Sequence, residues 1–280
     1  MSCSPEVLSV GFINIRGQTG LTSAKQAQIE SFLVKEKLDI LHLQEINICD
    51  DSFNKCNVLS SSFNIISNNS PSKYGTASII KSDFVAENIN LDSNGRAIVF
   101  NIGPITLANL YLPSGTDSIS RNSREQYFSE TLPHLLLNRL DSGCIGGDMN
   151  CITNKLDCTH NPASKMSPSL SRLTKTFDMA DCFRTLHPTS KVFSHYYHTT
   201  QLGAGATRID RSYSWGDLKV VRASYEPIAF SDHMAYIVSF TLPSSTARIL
   251  SPRSRPLFKI RPEVICDKLF QERLGDSMAD

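Results

Sequence analysis

The sequence predicts an α/β (α+β) protein with helices layered on β-sheets, and three features carry that expectation. An apolar run, an amphipathic stretch and a second apolar run succeed one another over residues 7–44, the order of a strand, a helix and a strand packed in layers. Short alternating segments divided by turn residues fill residues 63–112, as in a set of small strands. A further apolar run, Gly143–Gly147, closes on two glycines that let the backbone turn sharply, and it delivers Asp148 and Asn150 on one side of the chain.

Val7–Ile15 is the first expected strand, with Asn14 near its end. In Ser23–Lys37 the residues Ala24, Ala27, Ile29, Phe32 and Leu33 form one helical stripe, and Ser23 is the expected cap. Leu38–Gln44 is a second buried strand that delivers Glu45. The segments NII, TASIIKS, RAIVFNI and ITLANLYLP are the next strands, with turns at Pro71-Ser72, Ser93-Asn94-Gly95 and Gly103-Pro104. Arg121–Leu140 reads as a helix, Asn161–Ser169 as a Ser/Pro-rich loop and Ser171–Met179 as another helix. Strands resume over Lys191–Phe240, with a hairpin at His195–Ala206, then Arg208-Ile209-Asp210, then Ser231-Asp232-His233 leading into Met234–Leu242.

At 280 residues the chain can bury a sizeable core, and residues 5–242 are the expected domain. Residues 243–280 turn to Ser, Pro and Arg, the composition of a linker, with Arg248, Arg253, Arg255, Lys259 and Arg261 available to nucleic acid. A hydrophobic content of 40% is ordinary for a globular protein, and a net charge of +1 gives no overall pull toward nucleic acid or membrane, so any polyanion must be met by local patches. No apolar run approaches the ~18 residues of a membrane span, and Met1–Glu6 is too polar for a signal peptide. The eight cysteines form no CxxC pair; Cys151, Cys158 and His160 lie near one another, but free thiols in a reducing compartment fit the spacing better.

Polar groups recur where strands end: Asn14, Glu45, Tyr111, Asp148 with Asn150, Asp210, and Asp232 with His233. Each alone is as readily a turn former, a surface charge or a core histidine, but strand ends from distant parts of a layered fold converge on one spot. In order, NIRG, LQE, NLYLPS, GGDMN, RID and SDH resemble the motif set of the endonuclease/exonuclease/phosphatase superfamily over residues 7–240. Within it, Phe183-Arg184-Thr185-Leu186-His187-Pro188, the Ser194-containing strand and Arg208-Ile209-Asp210 are similar to the apurinic/apyrimidinic-endonuclease-like endonuclease domain of LINE-type (non-LTR) retrotransposons. The resemblance implies a four-layer α/β sandwich, two packed and mostly antiparallel sheets flanked by helices, with a divalent metal and phosphodiester hydrolysis.

The chemistry assigns roles to these residues. Hydrolysis needs a placed water, charge neutralisation on the phosphate and help for the leaving oxygen. Glu45 suits Mg²⁺ (or Mn²⁺), with Asp232 and Asn14 as further metal contributors. Asp148 is the candidate general base, His233 being the other group able to take the water's proton. Asn150 and protonated His233 are expected to donate to developing charge, Asp210 to orient His233, and Tyr111 to meet the phosphate or leaving group.

Two departures from the repair members narrow the expectation. Their NVDG reads Asn14-Ile15-Arg16-Gly17 here, and their tryptophan three residues before the RLD aspartate is Thr207. Retrotransposon endonucleases resemble Lys191–Arg211 in having a hairpin that enters the minor groove. Gly203 and Gly205 would permit its turn. Ser194, His195, Tyr196, Tyr197, His198 and Thr207 are candidate groove contacts, and Lys191, Arg208, Arg211 and Arg16 candidate phosphate contacts. The expectation is a nuclear, Mg²⁺-dependent nickase of double-stranded DNA, made in the cytoplasm and fused to a reverse transcriptase that the nick's 3′-hydroxyl would prime. The alternatives are an apurinic repair endonuclease or phosphatase of the same superfamily, or an inactive DNA-binding module.

Overall fold

The computed structural model describes residues 7–16, 23–46, 62–69, 75–160, 162–199 and 203–242. In chain order these form β1 (Val7–Asn14), α1 (Ser23–Lys35), β2 (Ile40–Gln44), β3 (Phe63–Asn68), β4 (Thr76–Lys81), β5 (Ala86–Leu91), β6 (Ala97–Ile102) and β7 (Ile105–Tyr111). There follow α2 (Ser118–Gln126), α3 (Leu132–Leu135), β8 (Ser142–Asp148), α4 (Pro168–Thr176), β9 (Ala180–Asp181) and α5 (Cys182–Leu186). The last strands are β10 (His195–Thr199), β11 (Gly203–Thr207), β12 (Asp210–Trp215), β13 (Lys219–Glu226) and β14 (Ala235–Thr241).

Two six-stranded sheets result, ordered β13-β14-β1-β2-β4-β3 and β5-β6-β7-β8-β12-β9, with β10-β11 as a separate hairpin. Each large sheet holds one parallel pair, β1 with β2 and β7 with β8; its other pairings are antiparallel. Alternation along the strands sorts the apolar residues into layers. Val10, Phe12, Ile98, Phe100, Leu107 and Val238 fill the space between the sheets. Ile13, Leu41, Leu43 and Ile237 pack with Ile29, Phe32 and Leu33 of α1, while Val99, Leu110 and Ile145 pack with Tyr127, Phe128, Leu132 and Leu170 on the opposite face. The expected α/β sandwich of two sheets between helices is therefore what the chain forms.

Gln44 and Asn109 add a polar tie between the sheets: Gln44 Nε2 donates to Asn109 Oδ1 (2.7 Å), and Asn109 Nδ2 donates to the carbonyls of Leu43 and Ala77 (2.9 and 2.8 Å). Both parallel pairs end toward the same rim of the sandwich, which sets the ends of β1, β2, β7 and β8 together.

Several expected boundaries shift. Ala24 and Ala27 are exposed, so the buried stripe of α1 is narrower than the periodicity suggested, and Lys25 lies inward with Nζ on the Ile15 carbonyl (2.8 Å). The helix expected at 121–140 begins earlier, under Asp117, whose side chain accepts from Ser120 N, and it changes register over Tyr127–Thr131. There Leu132 N donates to Tyr127 O, five residues back, just where Pro133 has no N–H to continue the ordinary ladder. The later helix starts at Pro168 rather than Ser171, because Ser167 Oγ accepts from Leu170 N and proline is well suited to a first turn. Strand β5 and helix α5 had no apolar pattern to announce them: β5 is an edge strand exposed along nearly its whole length. The Pro71-Ser72 turn and the tail from residue 243 lie outside the described residues.

Candidate active site

Asp148 stands at the centre, and glycine is what puts it there. Gly147 has φ +133°, and a Cβ on it would meet Leu110 O at 2.0 Å. Gly146 makes no turn; a Cβ there would come 2.4 Å from the Phe12 ring, so it makes room between the sheets. The turn falls instead at Asn150, with φ +50°.

Three donors then fix the Asp148 carboxylate. Its Oδ2 accepts from Asn14 Nδ2 (3.0 Å) and Asn150 Nδ2 (3.1 Å), and its Oδ1 from the Asn150 backbone N–H (2.9 Å). Burial raises its pKa to about 7; the neighbouring Asp210 charge adds to the rise and His233 opposes it. Asp210 lies opposite Asp148 in the β8–β12 register and accepts from His233 Nδ1 (2.8 Å). Burial alone would lower His233, but the charge and hydrogen bond of Asp210 outweigh it and carry the imidazole to about 10, so it is an imidazolium at neutral pH. Asp210 and His233 differ from the other site residues in that one opens β12 and the other precedes β14. These strands run antiparallel to β8 and β1, which brings their beginnings to the same rim.

Glu45, with φ +55°, faces this group from the other sheet. Its Oε1 accepts from Asn14 Nδ2 (3.0 Å) and from the Tyr111 hydroxyl (2.9 Å), while Oε2 accepts nothing among the described residues. Burial, with the charges of Glu45 and Asp148, raises the Tyr111 phenol far above its ordinary range, so it stays a donor. Asn14 Oδ1 meanwhile accepts from Arg16 N (2.9 Å), and Ser231 Oγ ties the loop to β1 by donating to Asn14 O (2.6 Å).

This geometry gives further expected site residues their partners. Asn150 Nδ2 places its two protons on Leu112 O (2.9 Å) and Asp148 (3.1 Å). Asn14 turns its amide nitrogen, not its oxygen, toward the two carboxylates. Asp232 is paired with Arg16 (Nη1–Oδ2, 3.1 Å). Among the described residues, His233 has no hydrogen-bond partner at Nε2.

For a divalent cation, Glu45 fits: it is a hard oxygen donor with one oxygen fixed by two donors and the other open. The grouping of potential ligands among the described residues is Asp148, Asp210 and His233, all within 4.8 Å of one another. Within that trio the His233 Nδ1 is already taken up by Asp210.

The hairpin forms where the sequence placed it, with His195 opposite Thr207 and Thr199 opposite Gly203. Gly205 lies within β11 rather than in the turn, and a Cβ on it would strike the Tyr197 ring at 2.6 Å. Tyr196 is 57% exposed, and His198, Lys191 and Arg16 are exposed too; His195 and Tyr197 are half-buried. Four expected DNA contacts are not at the surface. Arg208 and Arg211 are fully buried, because Arg208 pairs with Asp157 (Nε–Oδ1, 2.8 Å) and Asp181 (Nη2–Oδ2, 2.6 Å) and Arg211 with Asp157 (3.5 Å). Thr207 is also buried, and Ser194 Oγ accepts from the backbone N–H groups of Ile209 and Asp210 (3.1 and 3.0 Å). Asp157, Asp181 and Tyr225, whose hydroxyl donates to Asp210 O (2.7 Å), are supports that no motif signalled.

With no family model and no curated protein matching the chain, solved structures supply the comparison. An AP endonuclease from Archaeoglobus fulgidus superposes with a TM-score of 0.69 at 21% identity, covering 84% of this chain and 100% of that one. The chain has the AP endonuclease fold. The AP endonuclease LMAP from Leishmania major (TM-score 0.66, 19% identity, 85% of this chain and 88% of that one) shares it. So does the 3′ phosphatase NExo from Neisseria, solved with a product DNA hairpin (0.68, 18%, 84% and 100%).

Proposed function

We propose that this chain is a Mg²⁺-dependent DNA endonuclease that nicks one strand of double-stranded DNA, as the endonuclease domain of a non-LTR retrotransposon protein. The observation that carries the reading is the convergence of Glu45, Tyr111, Asp148, Asp210 and His233 at one rim of the AP endonuclease fold, beside a hairpin with exposed Tyr196 and His198. In this reading residues 5–242 are the catalytic domain, 243–280 lead toward a reverse transcriptase, and the nick's 3′-hydroxyl primes it on nuclear DNA.

The chain's own groups divide the work. Asp148, raised to about 7, is a base matched to neutral pH, and its fixed carboxylate orients the attacking water and takes its proton. His233 keeps Nδ1–H on Asp210 and points Nε2–H at charge developing on the phosphate. Asn14 and Asn150 hold Asp148, and Tyr111 holds Glu45. A divalent cation held by Glu45 would add positive charge against the phosphate oxygens.

Matched duplexes, one intact and one with an abasic site, test the reading in Mg²⁺. Nicking of the intact duplex at a comparable rate is expected, and Asp148→Ala and His233→Ala should each lower it by at least about 10²-fold. Cutting confined to the abasic duplex would make the protein a repair enzyme, a reading that the small, buried Thr207 disfavours. Release of a 3′-terminal phosphate alone would make it a phosphatase, and no turnover an inactive binding module.

A further inference from the structure

A column of packed side chains runs from the hairpin to the catalytic histidine. Lys165 Nζ sits 4.0 Å from the centre of the Tyr197 ring, which stacks on His195 with centroids 6.0 Å apart and planes 25° apart. His195 in turn packs on His233, with centroids 4.6 Å apart and planes at 33°. The backbones join as well: His195 and His233 form an isolated antiparallel bridge, and Met234 N donates to Ser194 O (2.7 Å). His195 Nε2 lies 4.0 Å from Asp232 Oδ2, next to the Arg16 pair.

The His233 ring therefore has two restraints. Asp210 holds its edge at Nδ1, and His195 covers its face. A hydrogen bond at one ring nitrogen leaves the imidazole free to rock about that contact, whereas a packed ring face limits the rocking. That limit sets where Nε2–H points, and donor geometry in a hydrolytic site is worth much of its rate. Residue 195 is also the first of β10, so this restraint is part of the same strand that carries Tyr196 into solvent.

We propose that His195 is a positioning residue for the Asp210–His233 pair, through which the hairpin is mechanically tied to the site. This rests on the reading of that pair as acting on a phosphodiester. His195 then acts through His233 and not as a groove contact, so its loss alters turnover more than substrate affinity. The ring, not its nitrogens, is what matters, so phenylalanine can replace it.

The test compares wild type, His195→Ala and His195→Phe in two measurements. Steady-state nicking of intact duplex in Mg²⁺ separates kcat from KM. Proton NMR without substrate follows the downfield resonance of the His233 Nδ1–H bonded to Asp210. In His195→Ala, kcat should fall roughly 10- to 100-fold with KM within about two-fold, and the resonance should broaden or vanish. His195→Phe should restore both. A rise in KM alone with an unchanged resonance would make His195 a DNA contact and overturn the proposal, and so would a phenylalanine variant as impaired as the alanine one. Should the wild type cleave no DNA, the functional reading fails while the resonance still decides whether His195 positions His233.

Discussion

Asp148 and His233 are neighbours whose surroundings push them in complementary directions. Burial and Asp210 bring Asp148 to about 7, near the point where it exchanges a proton at neutral pH, while Asp210 holds His233 charged up to about 10. Two titratable groups set apart in this way are what an acid–base pair requires. Arg16 bears on the holding of a metal ion. Its pairing with Asp232 (3.1 Å) sets a cation against a carboxylate that would otherwise attract a metal ion. Arg16→Ala should therefore tighten Mn²⁺ binding a few-fold in a calorimetric titration, the size of an exposed pair worth ~0.2–1 kcal/mol. Unchanged or weaker binding would mean that Asp232 takes no part in holding the ion. The positions of these residues were legible in the sequence, because each motif marks an end of a strand. The direction of each amide was not, since Asn14 meets Asp148 from the other sheet and Asn150 meets Leu112 from after β7.

At the level of elements, buried ions join apolar packing in holding the segment from Asp157 to Arg211. Asp157 accepts from Arg208 and pairs with Arg184 and Arg211, while Asp181 takes the far side of Arg208. Burial pushes the Asp157 carboxyl up, but Arg211, Arg208 and Arg184 outweigh it and hold it below the usual carboxylate range. A carboxyl lowered on folding stabilises the fold above its unfolded pKa of ~3.9 and loses that contribution as pH falls through the folded value. Asp157→Asn should cost about 3–5 kcal/mol near neutral pH, because it leaves buried Arg211 without its counter-charge and Arg208 with Asp181 alone. Melting curves from pH 7 to pH 3 would show this as a lower melting temperature that converges on wild type in acid; parallel curves would contradict it. Strands β1, β2, β6, β7 and β8 were readable from their apolar runs. The edge strand β5 was not, because solvent accepts its polar side chains, and the buried Arg208 and Arg211 read as surface cations because nothing local announces Asp157 and Asp181.

The whole molecule makes the site a property of two sheets at once. Glu45 arrives on β2 of one sheet, Asp148 on β8 of the other, and Asn14 bridges them with one amide. Strand β2, which leads into Glu45, and β7, which carries Tyr111, are further locked by Gln44 and Asn109 in the layer between the sheets. The proposed function requires both halves in register, so loss of a bridging residue should be felt at the opposite sheet. In the proposed function this arrangement cleaves intact duplex DNA with a divalent cation. Supercoiled plasmid incubated with the protein and Mg²⁺, beside EDTA and Asp148→Ala controls, tests it most directly. Conversion to open circles that disappears in both controls is the expected result. Supercoiled DNA left intact by a folded wild-type protein in Mg²⁺, or open circles that persist with Asp148→Ala, would contradict the account.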